Sequence, residues 1–252
     1  MFELYQVISK IENRFLREMF SIVAMRLDEL DRLRSSRVVT SKTLKWKEKQ
    51  LLSIMSSLKT ELTPELQKLL TEVYKFGFNG AMDTLGISGS FTSVHKEALQ
   101  ALKQTGLKFM GNYTKDMIRV AQNHLYSAIL TGEKYDDVVA RLKKRIIPNA
   151  KRRIEVMVRD QVGRTLQVAT WNSYKSHMSL IDHFDWVGPS DKRTTEYCRN
   201  RKKLNPWTPE EVQKLKKTNP KKYKGLLITD PNTGSFLHPH IQCRHVLVAR
   251  TK

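Results

Sequence analysis

Phe2, Leu4, Tyr5, Ile8, Ile11, Phe15, Met19, Ile22, Val23, Leu27, Leu30 and Leu33 recur at three- and four-residue spacing. Only an amphipathic helix puts such a series on one face, so the first thirty residues predict one long helix. The same period governs most of the chain. After the polar RSSRVVTSK it resumes over about 43–60. Thr63-Pro64-Glu65 then predicts a fresh start, with Thr63 as cap and proline at the first helical position. That helix is expected to run to about Leu85 and to close at Gly86 and Gly89. A further helical pattern begins near Ser93 and ends at Gly132, with Gly106 and Gly111 as weak points inside it. Residues 135–147 predict a short helix, acidic at Asp136-Asp137 and basic at Lys143-Lys144-Arg145, as the helix dipole favours. Pro148-Asn149 is expected to break it before a second helix over about 150–177.

The period changes after about residue 180. HFDWVG alternates like a short strand, and Gly188-Pro189-Ser190 is a turn. Thr208 and Pro209 predict one brief helix. LLITD, the turn PNTG and SFLHP predict short extended pieces, and RHVLVAR closes as a strand. The expected architecture is mostly α: a long-helix N-terminal region followed by a small α+β C-terminal module. The corresponding division is 1–134 and 135–252, the second part comprising helices over 135–178 and the α+β part over 179–252.

Charge narrows the partners. The formal net charge is +20 and unevenly placed. Residues 1–140 hold 20 Lys+Arg against 16 Asp+Glu, and residues 141–252 hold 25 against 9. The C-terminal part is therefore expected to seek a polyanion without reading base sequence. The natural contact is the insert carrying Arg199, Arg201, Lys202, Lys203, Lys214, Lys216, Lys217, Lys221, Lys222 and Lys224. No apolar stretch is long enough to span a bilayer. The charged N-terminus is unlike a signal peptide, and the two cysteines make a reducing compartment the default.

Three histidines and one of the two cysteines fall within eight residues, 238–245. His240-x-x-Cys243 can present two ligands to one ion on a tight turn. Cys198, with His238 or His245, would complete a tetrahedral site. A Cys198–Cys243 disulfide or two buried free thiols are also compatible with the spacing. Asp191 and Arg193 follow the 188–190 turn, where an acid and a base could serve chemistry or the aspartate could cap the turn. Asp160 and Arg164 are spaced for an i, i+4 ion pair. Phosphate loops of the GxGxxG and GxxxxGK[ST] types are absent, as are HExxH and GxSxG. A Cys-His hydrolase has no marked oxyanion hole or orienting acid.

Taken together, Arg159 and Arg164 on a helix, Trp186, Asp191, Arg193, Thr194 and Cys198, and the closing His240, Cys243 and Arg244 resemble the C-terminal module of the phage Mu F-like minor head proteins, also known as phage head morphogenesis proteins. In that family the closing motif reads P-x-H-x-x-C-R-C; here the last cysteine is His245, which can replace cysteine as a zinc ligand but not in a disulfide. Leu237-His238-Pro239 also stands where the family has P-P or G-x-P. The resemblance covers roughly residues 140–250 and leaves the helical first half unmatched.

It implies a non-enzymatic virion component, present in several copies per particle, in the capsid interior or near the portal, and made in the bacterial host cytoplasm. Its partners would be the portal or major capsid protein and packaged double-stranded DNA. A structural zinc held by Cys198, His240, Cys243 and His245 goes with that reading, and no appended effector domain is expected. Two alternatives stay open: a sequence-nonspecific nucleic-acid-binding protein, and a metal-dependent nuclease using His238, His240 and His245.

Overall fold

The computed structural model describes residues 2–35, 37–215 and 243–252. Four long helices dominate it: α1 (Phe2–Asp28), α2 (Ser41–Leu85), α3 (Ser93–Thr131) and α4 (Tyr135–Lys175). A 3-10 turn over Glu29–Leu33 extends α1 and keeps Leu30 and Leu33 buried. The small C-terminal part contains β1 (Ile181–Val187), α5 (Glu196–Lys203), α6 (Pro209–Leu215) and β2 (Val246–Thr251). The mostly α architecture with a small α+β part is therefore present. The expected extended pieces LLITD and SFLHP and the PNTG turn lie outside the described residues.

Two expected breaks are absent. Helix α2 runs through Pro64 and α4 runs through Pro148. Each proline removes one backbone donor and frees the carbonyl four residues earlier. Both prolines are exposed, and so are Thr60 and Lys144, whose carbonyls are freed, so water can satisfy them. Leu58, Leu62 and Leu66 flank Pro64, and Ile146 and Ala150 flank Pro148, all buried. Burial on both sides of each proline outweighs one lost hydrogen bond. Thr63, expected as a cap, instead donates its hydroxyl to the Lys59 carbonyl at 2.8 Å. Gly106 and Gly111 do not interrupt α3, whereas Gly86 and Gly132 end their helices at φ +66 and +68, the left-handed conformation that glycine adopts without strain.

Compactness divides the chain differently from the expected 1–134 and 135–252. One unit comprises Met1–Lys68 with Thr105–Val158, the other Leu69–Gln104 with Arg159–Lys252. Helices this long outlast a single core, so α2, α3 and α4 each supply residues to both units.

In the first unit, the loop after α1 pairs with the turn between α3 and α4: the Val39 N–H donates to Glu133 O at 2.9 Å and the Tyr135 N–H to Arg37 O at 3.1 Å. Lys143 reaches Asp31 at 2.7 Å and Asp28 at 3.1 Å.

In the second unit, β1 and β2 form an antiparallel pair in which Trp186 faces Leu247 and Val187 faces Val246. On its other edge, β1 exchanges two 2.8 Å hydrogen bonds between Phe184 and Trp207. Alternation turns Phe184, Trp186, Leu247 and Ala249 inward, where they join Ala81, Leu85, Trp171, Tyr174, Trp207 and Val212 in one apolar core. Both cysteines lie in that core.

Candidate functional site

Local chemistry explains how the segment from 188 to 212 is shaped. Asp191 Oδ1 accepts from the Arg193 N–H at 2.9 Å, and the Thr194 hydroxyl donates to Pro189 O at 2.8 Å. Thr194 is itself buried. Thr195 caps α5, accepting from the Cys198 N–H. Thr208 and Glu211 form a reciprocal capping box on α6: the Thr208 N–H donates to Glu211 Oε2 at 2.9 Å and the Glu211 N–H to Thr208 Oγ1 at 3.2 Å, as the Thr208-Pro209 signature anticipates. Between these helices Asn205 acts as a strand surrogate. Its amide accepts from the Trp186 N–H at 2.8 Å and donates to Trp186 O at 3.2 Å.

This scaffold puts Cys198 on the first turns of α5, against the residues that lead into β2. Its Sγ lies 3.5 Å from Cys243 Sγ. A ring nitrogen of His245 completes a trio of donor atoms within 4.8 Å of one another, all on buried residues. Both cysteines are free thiols. Hydrogen bonding with Cys198 and burial push the Cys243 thiol well above its ordinary range, so it is protonated at neutral pH.

The histidine is fixed from several sides. Its ring stacks on Trp186, centroids 6.0 Å apart and 12° between planes. The buried Gln167 side chain of α4 donates to the His245 carbonyl. Gly188 packs so closely that an added Cβ would meet the imidazole at 2.4 Å. His245 Nε2 is buried and has no hydrogen-bond partner among the described residues.

One residue away, Arg244 forks onto Asp191 with contacts of 2.8 and 2.6 Å. Arg244 beside it holds the Asp191 carboxyl well below the usual carboxylate range, aided by the Arg193 N–H and the Thr194 hydroxyl. Asp191 is thus both the turn cap and an anchor for the segment that carries Cys243 and His245.

The three donors fit three corners of a tetrahedral zinc. Zn–S bonds of about 2.3 Å place two thiolates roughly 3.8 Å apart, close to the 3.5 Å found here. A buried imidazole nitrogen without a partner is costly unless something takes its lone pair. Zinc would be held by Cys198, Cys243 and His245, displacing the thiol protons. His240, the expected fourth ligand, and His238 lie outside the described residues. Among the described residues no carboxylate joins the trio.

Trp186, Asp191, Thr194, Cys198, Cys243, Arg244 and His245, singled out from two remote stretches, therefore meet in one place. Arg164 pairs with Asp160 at 3.8 Å as spaced, Arg159 lies half-buried on α4, and Arg193 is exposed. One assignment is corrected. Arg201 cannot contact a polyanion, because it is 1% exposed and its guanidinium lies 4.8 Å over the Trp186 ring. It falls on the inner face of α5, where a cation over an indole is stabilised without solvent. Arg199, Lys202 and Lys203 are exposed, with Arg199 donating to Thr194 O at 2.5 Å and Lys202 to Ser190 Oγ at 2.9 Å. The Lys214 side chain and Lys216, Lys217, Lys221, Lys222 and Lys224 lie outside what is described.

Sequence reasoning missed Gln167, Asn205 and helix α5. For α5 the signal was present: Thr195 before Glu196, with Arg201-Lys202-Lys203 at the end. For Gln167 the only signal was an amide between Leu166 and Val168 in the mixed stretch VGRTLQVATW.

Comparison with models of known protein families, with curated proteins and with solved structures finds no match.

Proposed function

We propose that this chain is a minor head protein of a tailed bacteriophage, positioned inside the capsid or beside the portal and acting in head morphogenesis and DNA packaging or delivery. The observation that carries the reading is the convergence of its motif residues. Asp191 and Arg244, 53 positions apart, are forked together, and Cys198 and Cys243, 45 positions apart, touch. In this reading Cys198, Cys243 and His245 hold a structural zinc that clasps the C-terminal module. The exposed cations contact packaged DNA through its phosphates alone. No helix among the described residues is long and apolar enough to cross a membrane, in keeping with a role among virion proteins.

The test is assembly. The chain is co-expressed with the portal and coat proteins of the phage genome from which it comes, and the heads are purified. A few copies per head, protected from external protease, are expected, and heads made without the chain should package less DNA. A chain recovered only as free protein, with heads unaffected by its loss, would overturn the proposal. Zinc analysis under reducing conditions tests the clasp separately: about one ion per chain is expected, and none in Cys198→Ser.

A further inference from the structure

Within the first unit, α3 and α4 enclose a groove of about 570 Å³ that the site above does not use. Asn112, Tyr113 and Asp116 line it from α3, and Asn149, Arg152 and Arg153 from α4. The volume falls within the range of small-ligand sites.

Its chemistry points to one ligand class. Asp116 is neutralised by Arg153 at 3.1 Å and Arg119 at 3.4 Å. Arg152 is exposed and makes no ion pair among the described residues. Tyr113 is 4% exposed, and its hydroxyl is buried without a hydrogen-bond partner among the described residues. A ligand oxygen that displaced the groups covering that hydroxyl would gain a donor without breaking an existing hydrogen bond. Arg145, Asn149 and Arg152 share one stripe of α4 at three- and four-residue spacing. Further along, burial first, and Arg141 and Arg145 second, disfavour protonation of His124 of α3. A planar guanidinium, two amides and a phenol lining one groove from two helices suit a tetrahedral oxyanion with several acceptor oxygens.

We infer that the α3–α4 groove binds a phosphate group, with Arg152 as its principal cation and Asn112, Asn149 and Tyr113 as neutral donors. This does not rest on the minor-head reading. The phosphate could belong to a nucleic-acid backbone or to a free phosphate compound, and the experiment separates these sources. Full-length protein is titrated with inorganic phosphate and, separately, with a short duplex DNA over a range of salt. Arg152→Ala and Tyr113→Phe are compared with Lys144→Ala, which removes equal charge from an exposed position on the same helix outside the groove.

Phosphate affinity is expected to fall at least about tenfold in Arg152→Ala, less in Tyr113→Phe, and little in Lys144→Ala, with melting temperatures unchanged. If Arg152→Ala also lowers the salt slope of DNA binding by about 0.9, and Lys144→Ala does not, the groove reads backbone phosphate. If only inorganic phosphate binding falls, it takes a free phosphate compound. Equal effects of Arg152→Ala and Lys144→Ala on both probes, or no effect of either, would overturn the inference.

Discussion

Gly188→Ala is the sharpest test of how the Cys/His cluster is built. The new Cβ would stand 2.4 Å from Cγ and Cδ2 of His245 and 2.8 Å from Nδ1. Ordinary carbon contacts begin near 3.5 Å, so backbone or ring must shift by about 1 Å. The ring has little room to yield, since it is 3% exposed, stacked on Trp186 and tied through its carbonyl to Gln167. Overpacking of this kind costs about 1–3 kcal/mol, and the constraints place this site near 2–3. At roughly 2–4 °C per kcal/mol for a chain of this size, the melting temperature should drop by about 4–12 °C. Urea denaturation followed by tryptophan fluorescence reports directly, because Trp171, Trp186 and Trp207 all sit in the affected core. Gly80→Ala is the control. Its Cβ meets nothing within 4 Å, and in the interior of α2 alanine should add about 0.5–1 kcal/mol. A Gly188→Ala protein within about 0.5 kcal/mol of wild type, with Gly80→Ala stabilised as stated, would refute the packing described around His245; the threshold is the usual scatter of neutral surface changes.

Three further outcomes are expected. Gln167→Leu keeps the volume but strands the buried His245 carbonyl, and should cost about 1–3 kcal/mol in the same denaturation assay. Burial lowers the pKa of His95, which sits among Tyr74, Phe78 and Phe91, and burial with Arg141 and Arg145 lowers that of His124. Below the ordinary histidine value of 6.5 the unfolded chain therefore binds protons that the folded chain does not. Their stabilising contribution is complete above that pH and declines as pH falls through it; His95→Phe should flatten this decline in urea midpoints measured from pH 7.5 to 5. Chelation under reducing conditions should lower the thermal stability of wild-type protein and leave Cys198→Ser unchanged. Equal shifts in the two proteins would exclude a metal at these thiols.

The helices were legible because their period is local. Every third or fourth residue of the N-terminal stripe is apolar, and Ile8, Ile11, Phe15, Met19, Val23, Leu27, Leu30 and Leu33 are all buried. The two proline breaks were misread for a reason the period cannot carry. A proline ends a helix only when nothing beyond it holds the chain in register, and what lies beyond Pro64 and Pro148 is tertiary burial. The interleaving of the two compact units is non-local in the same sense. Thr105 follows Gln104 in one helix, yet the two residues belong to different units, and no feature of the helical pattern between them changes.

The candidate site divides along the same line. Cys198, Cys243 and His245 could be singled out because few residue types bind metal, so composition alone shortens the list. Arg201 could not be excluded, because its sequence neighbours Arg199, Lys202 and Lys203 are exposed and share its charge. What separates it is rotation on α5: Cys198 and Arg201, three residues apart, share the inward face, whereas Arg199 and Lys202 do not. Once Cys198 is placed at the cluster, helical geometry obliges Arg201 to follow it inward. There a guanidinium persists because Trp186 offers its π face, the same ring that seats His245. Trp186 is therefore the joint on which the clasp turns. Trp186→Leu should disturb the histidine and the arginine together, even though neither cysteine is changed.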